Sequence, residues 1–371
     1  MDSGLENFID TGRRFAKREV AAMVGTEGRD GSLEKLPELL THAYEIGLLA
    51  NADPQSPGFE YGIWGRACLT EGPLASTALL KEIAAACPGV AACFHFLGLG
   101  ALELEPAEGK KSSASVAFFE SNWRLSREIL KSPPAHALQA GKENDRLILT
   151  GAKSLVPYPP GCDGFVVYAA GKSGWERVFV PGDSKGLQIQ DAGLTVGLSA
   201  LKLADLKFEN VTVEASHLLP SRNPSAFLRR LMLGLAAIAV GNARAAIEES
   251  AAYARERYQG GTRIINQPAI QVLLGDASSR TANCSAALKT VCGQDSDGAD
   301  ALLRAVSLKL RATMDCWQAI SDCLQVLGGY GYMEDYRLEK RLRDAMHLKV
   351  MAMRPDDLRI FCGSQFGGVS Q

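Results

Sequence analysis

Gln325 to Ala345 reads QVLGGYGYMEDYRLEKRLRDA, and this stretch decides the fold. On either side of it the apolar residues follow a helical period. Within it, Gly328, Gly329 and Gly331 interrupt that period. Each glycine inside a helix costs about 1 kcal/mol relative to alanine. Three in four positions therefore mark a turn where backbone or ligand comes close. No strand precedes the turn, so it is not the dinucleotide fingerprint of an α/β fold. Two readings stay open: a plain interhelical turn, or backbone N–H groups that, beside Gln325, hold phosphate or ribose oxygens.

Upstream of this motif the helical period returns at Pro224 and persists. One long helix is predicted to about Arg257, a second from about Gln267 to Cys292, and a third from about Ala299 to Leu327. A last one runs from near Tyr336 to about Met351. Asp295-Ser296-Asp297-Gly298 reads as a turn with capping residues. Four long helices with short links predict an antiparallel bundle. The apolar run Leu231 to Gly241 is too short to span a bilayer and reads as a helix buried on all sides.

Before the bundle the period is different. Ser115–Phe119, Arg146–Val156, Gly164–Ala170, Trp175–Pro181 and Leu203–Val213 are strand candidates, the last alternating with period two. The first third is helical again. Leu5, Phe8, Phe15 and Val20 recur at helical spacing, and Leu36 to Leu49 forms a second helix with Leu39, Leu40, Ala43 and Leu48 on its apolar side. A loop covers Pro54 to Gly62. Ser76 to Leu104 is small and apolar, a buried helix and its neighbour jointed at Pro88-Gly89. The expectation is an α+β chain: a helical domain over 1–112, a β domain over 113–221 and a four-helix bundle over 222–371.

The chain has 371 residues, 46% hydrophobic and 22% charged, with 40 Lys plus Arg against 42 Asp plus Glu. A net charge of −2 gives no general attraction to nucleic acid or to an anionic membrane. The nine cysteines form no CxxC pair and the five histidines no HExxH cluster, which argues against a metal site or a disulfide framework. Reduced thiols and the absence of a signal-peptide pattern over Met1 to Val20 make the expected location cytoplasmic.

The Gln325–Ala345 stretch closely resembles the C-terminal signature of the acyl-CoA dehydrogenase family: Gln-x-x-Gly-Gly-x-Gly-Tyr, an acidic-Tyr pair, Glu-Lys or Glu-Arg, then Arg-Asp-Ala. Tyr253 to Gln271 (YARERYQGGTRIINQPAIQ) is similar to the family's Arg-x-x-Phe-Gly segment between the first two bundle helices. Weaker likeness covers Phe15–Leu49, Leu147–Ala170 and Leu194–Pro220. The resemblance implies the acyl-CoA dehydrogenase fold, FAD as cofactor and α,β-dehydrogenation of an acyl-CoA thioester. It also implies that these two segments reach across a subunit interface to the adenosine and pyrophosphate end of a neighbour's FAD. By that resemblance Arg257, Gln259, Gln325, Gly328 and Gly329 are the cofactor-binding residues. Read without the resemblance, Arg257 is a cation at a helix C-terminus.

The same comparison predicts losses. The family's catalytic Glu falls on Ala352 when the chain is aligned from Arg343-Asp344-Ala345, and the alternative base position near Leu231 lies in a stretch, Asn223 to Arg244, with no carboxylate. The family's Thr-Glu-Pro-x-(Ala/Gly)-Gly-Ser-Asp loop corresponds to Phe118-Phe119-Glu120-Ser121-Asn122-Trp123-Arg124. Its Lys-x-Trp-(Ile/Val)-Thr strand, whose aromatic and hydroxyl flank the isoalloxazine, corresponds to Lys153-Ser154-Leu155-Val156-Pro157. A helical stretch of the family is missing between Leu104 and Ser112. Segments serving a protomer's own flavin are altered, whereas those serving the neighbour's persist.

This predicts a non-catalytic subunit that shares FAD with a related acyl-CoA dehydrogenase chain. The assembly would be a tetramer of two and two, with acyl-CoA in the partner's site and an electron-transfer flavoprotein as acceptor. The alternative is a self-sufficient homo-oligomer with a relocated acid or base-free chemistry. Its nearest acids are Glu334, Asp335, Asp356 and Asp357, which read more simply as solvated surface. The cluster Phe94-His95-Phe96 reads as core packing.

Overall fold

The computed structural model describes residues 3–24, 33–104, 113–121, 123–172, 174–294 and 299–366. The capping turn read at 295–298 and the stretch 105–112, where a family helix is missing, lie outside the described residues. The architecture follows the expected order: helices, then a mixed sheet, then a helical bundle.

In the first part, Ser3–Phe15 packs on Leu74–Ala86, which packs on Pro88–Glu103, and Leu36–Glu45 contributes Leu36, Leu39, Leu40 and Ala43 to the same core. Every side chain from Pro88 to Glu103 is buried. Pro88 sits at the first helical position, where its missing N–H is no loss. His95 is inside the core. Its Nδ1 accepts from Trp64 Nε1 at 2.8 Å, so its Nε2 carries the proton that is donated to the Leu231 carbonyl at 3.2 Å. Burial takes this imidazole down to about 3, so it stays neutral.

The middle is an eight-stranded sheet made of β1 (Ala114–Ala117), β2 (Gln139–Glu143), β3 (Arg146–Pro157), β4 (Gly164–Gly171), β5 (Gly174–Pro181), β6 (Leu187–Asp191), β7 (Leu203–Glu214) and β8 (Leu218–Leu219). The order is β6-β7-β3-β2-β4-β5-β8, with β1 parallel to β4. Leu206 and Phe208 and, past a bulge at Asn210, Val211 and Val213 of β7 fill the sheet's own core. The sequence reading finds five of these strands and misses β2, β6 and β8. β2 is almost wholly exposed and reads QAGKE, so it carries no apolar alternation.

The bundle is built from Pro224–Glu256, Pro268–Cys292, Ala299–Leu327 and Leu338–Val350. The first of these is long and apolar enough to cross a membrane by length and composition. It is instead a core helix: Leu231 to Gly241 are all buried. A further helix, Pro355–Gly363, follows the bundle and is absent from the sequence reading.

Candidate functional site

Two places carry the residues singled out above. The first is a cavity of about 320 Å³ between the sheet, the first bundle helix and the loop after the last one. Ala352 and Leu231, the two positions where a catalytic carboxylate is expected, both line it. Ala352 sits in that loop with φ +65°, the left-handed region. Lys309 pins the loop: buried on the third bundle helix, it donates to the carbonyls of Lys349 (3.0 Å) and Met353 (3.4 Å). Burial without a carboxylate pushes its ammonium down to about 7.

Two acids do line the cavity. Asp357 corrects the surface reading: it is 7% exposed, because the first turn of Pro355–Gly363 faces inward. Both its oxygens accept from Arg354, at 2.9 and 3.2 Å. Its neighbour Asp356 is exposed and pairs with Arg359; Glu334 and Asp335 are exposed. The second acid is Glu120, buried at the end of β1. It forms an ion pair with the fully buried Lys153, which also donates to the Phe118 carbonyl at 2.9 Å. Burial lowers the Lys153 ammonium to about 8 while Glu120 pulls it back up. The pair joins the acid and the lysine that remain in the two altered motifs. The Glu120 Oε2 atom and the Trp123 indole N–H are buried without a hydrogen-bond partner.

An isoalloxazine ring does not fit the residues here. Where the family presents an indole, β3 bulges and places Leu155 at φ +51°, 60% exposed, with its N–H taken by Asp205 at 2.8 Å. Where the family presents a hydroxyl, Pro157 has neither O–H nor N–H to give. Phe119 and Trp123, packed edge to face on Phe118 and on each other at 5.1–5.2 Å, occupy the loop positions that are small or hydroxylated in the family.

The second place is one end of the bundle. The first bundle helix stops at Arg257, whose backbone turns extended (ψ 122°). A two-strand hairpin follows, Tyr258–Gln259 against Thr262–Arg263. Gly260 (φ +66°) and Gly261 (φ +79°) supply its turn, which demands positive φ at both central residues. Gln267 Nε2 holds the Gln259 carbonyl at 2.9 Å and leaves the Gln259 side chain exposed. Gln325 is exposed on the last turn of the third bundle helix, and Gly328–Tyr332 forms the tight turn after it. Gly328 has φ +58°, and a Cβ on Gly331 would lie 2.4 Å from the Leu324 carbonyl oxygen, so both glycines are required by the turn itself. Gly328 and Gly329 are open: a Cβ on either would meet nothing within 4 Å.

The structure brings Arg257 and this turn together, with the guanidinium 5.7 Å over the Tyr330 ring. Among the described residues no carboxylate pairs with Arg257. An exposed, unneutralised guanidinium beside a glycine turn fits a diphosphate, so the donor set suits the adenosine-diphosphate end of a dinucleotide. Sequence reasoning missed Tyr330. Its only signal was the tyrosine density of YGYMEDY, with Tyr253 far away in the chain.

Comparison with known proteins bears on the domain and the fold. Residues 226–352 match the model of the acyl-CoA dehydrogenase C-terminal domain. Over these residues, about a third of the chain, the sequence carries the C-terminal domain of the acyl-CoA dehydrogenase family. It is 30% identical over 226 residues to a 3-(aryl)acrylate reductase of Clostridium sporogenes and 28% identical over 210 residues to the caffeyl-CoA reductase–Etf complex subunit CarC of Acetobacterium woodii. These matches cover 57% and 54% of this chain, and 58% and 55% of those proteins, so the chain spans little more than half the length of either relative. A cyclohexane-1-carbonyl-CoA dehydrogenase of Geobacter metallireducens is 24% identical over 91% of this chain and 90% of its own. The solved butyryl-CoA dehydrogenase of Megasphaera elsdenii superposes with a TM-score of 0.80 at 18% identity, covering 99% and 98% of the two chains. The acyl-CoA dehydrogenase family is FAD-dependent.

Proposed function

We propose that this chain is the non-catalytic subunit of a heteromeric acyl-CoA dehydrogenase and that its bundle end completes the FAD site of a related partner chain. The observation that carries this reading is the cavity of about 320 Å³, where both positions for a base open and hold Ala352 and Leu231. A general base must stand within hydrogen-bond reach of the proton it takes, and neither side chain can accept one. The chemistry FAD supplies when bound is hydride acceptance in α,β-dehydrogenation of an acyl-CoA thioester. Two of the relatives are named reductases, so the same site in the partner could run in the opposite direction.

This chain's own contribution is binding. Arg257 offers its fork to the diphosphate, the open backbone at Gly328 and Gly329 admits a close approach, and Gln325 and Gln259 present amides beside it. The partner holds the acyl-CoA and the base. A tetramer of two and two follows from symmetric closure through the bundles. The proposed electron acceptor is an electron-transfer flavoprotein, in keeping with the name of the caffeyl-CoA reductase–Etf subunit, and the proposed location is the cytoplasm.

A second reading has one observation in its favour. Asp357 is a buried acid in the wall of the cavity, as a relocated base in a self-sufficient homo-oligomer would be. Flavin counting separates the two. The chain purified alone and with a related dehydrogenase chain is assayed for FAD per protomer. One FAD per pair of chains, and none on the chain alone, is the expected result. A full complement of FAD on the chain alone overturns the proposal.

A further inference from the structure

We propose that Tyr330 is a positioning residue for flavin binding: its ring holds the Arg257 guanidinium flat, with the fork free for the diphosphate of a partner-held FAD. The inference rests on the role given to Arg257 above and adds a residue to it.

Three rings cluster at this end of the bundle, and one of them, Tyr330, lies under Arg257. Tyr330 packs on Tyr336 at 5.6 Å and on Tyr253 at 6.4 Å, and Tyr253 meets Tyr336 edge-on at 5.7 Å. Tyr253 stands on the last turn of the first bundle helix, and its carbonyl accepts from the backbone N–H of Arg257, the capping residue, at 2.9 Å. Tyr330 and Tyr336 come from the glycine turn and the short turn after it. The turn fixes Tyr330 through local constraints already described: Gly328 in the left-handed region and Gly331 pressed on the Leu324 carbonyl oxygen. The guanidinium carbon lies 5.7 Å from the Tyr330 ring centre, within the roughly 6 Å range of a cation–π contact.

That arrangement does what a carboxylate partner could not. A carboxylate would order Arg257 by occupying its N–H groups. A ring face orders it through the π system and leaves all the N–H groups in the plane, pointing outward. No carboxylate competes among the described residues. The arginine is thus held before the ligand arrives, and less side-chain freedom is lost on binding. The glycine motif then has a second reason to exist: it delivers an aromatic ring from the third bundle helix to the end of the first.

The test uses the flavin-loaded oligomer that this chain forms, stripped of FAD and titrated with FAD by flavin fluorescence. Four variants are compared: Arg257→Ala, Tyr330→Leu, Tyr330→Phe and the double Arg257→Ala/Tyr330→Leu. Leucine keeps apolar bulk against Tyr253 and Tyr336 but has no π face, and it weakens FAD about two- to fivefold, the factor for a cation–π contact at an exposed site. Phenylalanine binds FAD as the parent does. Arg257→Ala weakens FAD about ten- to a hundredfold, as loss of a charge-assisted contact does. In that background Tyr330→Leu changes nothing further. Binding unaffected by Tyr330→Leu, an equal loss in the Arg257→Ala background, or a phenylalanine variant as weak as leucine each overturns the proposal for Tyr330. Binding unaffected by Arg257→Ala overturns instead the role of the bundle end on which it rests.

Discussion

Asp357 decides between the two functional readings, and its replacement by asparagine isolates the one property in question. The carboxylate is buried in the cavity wall with both oxygens on Arg354, at 2.9 and 3.2 Å. Asparagine is nearly the same shape, and its remaining carbonyl oxygen still accepts from the arginine, so the loop after the last bundle helix keeps its anchor. What is lost is the ability to take a proton. If the chain is non-catalytic, no proton passes through this group and turnover of the assembled oligomer stays within a few-fold of the parent. A general base contributes about 100- to 10,000-fold, which is roughly 2.7–5.5 kcal/mol of barrier at 1.36 kcal/mol for each tenfold. The gap between the outcomes is therefore more than an order of magnitude. The assay is dye reduction by the flavin-loaded oligomer across acyl-CoA thioesters of differing chain length, with flavin content measured on the same sample. A loss of a hundredfold or more with FAD still bound refutes the non-catalytic reading and installs Asp357 as the base. Amides at Glu334, Asp335 and Asp356, all exposed, are the matched controls.

Two further predictions concern buried charge. Glu120→Ala leaves the fully buried Lys153 without its ion-pair partner; a broken buried pair costs about 3–5 kcal/mol, so the thermal midpoint drops, whereas the apolar double Glu120→Leu/Lys153→Met recovers most of the loss. A double variant as unstable as the single would show that the charge pair is not the cause. Lys309 gives a pH signature. Its ammonium is pushed by burial to about 7 from an ordinary 10.5, so the folded chain releases this proton first. Between those values the unfolded chain binds more protons, and this group's contribution to stability rises with pH. Below about 7 both states are protonated and the burial penalty is complete. The thermal midpoint of the parent, relative to Lys309→Met, is thus expected to climb from pH 6.5 to pH 9. A constant difference across that range would show that the lysine titrates normally.

The sequence made legible what rests on periodicity and local chemistry. Leu231–Gly241 reads as buried because it is apolar on every face, and the third bundle helix, Ala299–Leu327, falls where its apolar residues recur. Phe94-His95-Phe96 reads as core even though His95 is polar, and the structure supplies the reason: Trp64 and the Leu231 carbonyl satisfy both ring nitrogens. Contacts made across the chain were not legible. Glu120 and Lys153 are 33 residues apart, Arg257 and Tyr330 are 73 apart, and nothing local marks either pair. Asp357 was misread for a related reason. Charged residues are mostly exposed, and on that rule the acidic pair reads as solvated surface, which is correct for Asp356. The inward side of that turn is set by packing against the third bundle helix, beyond the reach of a one-residue argument.

The pattern of losses gains meaning from where the two groups of residues lie. The cavity and the bundle end share no residue: one is walled by β1, β3 and the loop at Ala352, the other by the hairpin at Gly260, the glycine turn and three tyrosines. Each is held by its own contacts. Replacing Thr, Trp and Glu by Phe119, Leu155 and Ala352 therefore need not disturb Arg257, and the fold imposes no reason for the two to change together. Nor does the fold alone require that Arg257 stay unneutralised. A cation at a helix C-terminus is satisfied by the macrodipole alone, and a nearby carboxylate would serve it as well. An arginine lying over a ring with no carboxylate on its fork among the described residues is a more specific arrangement than helix capping needs. That specificity favours a ligand at the bundle end, and on the proposed reading the altered cavity of the same chain leaves that ligand's reactive ring to another protomer.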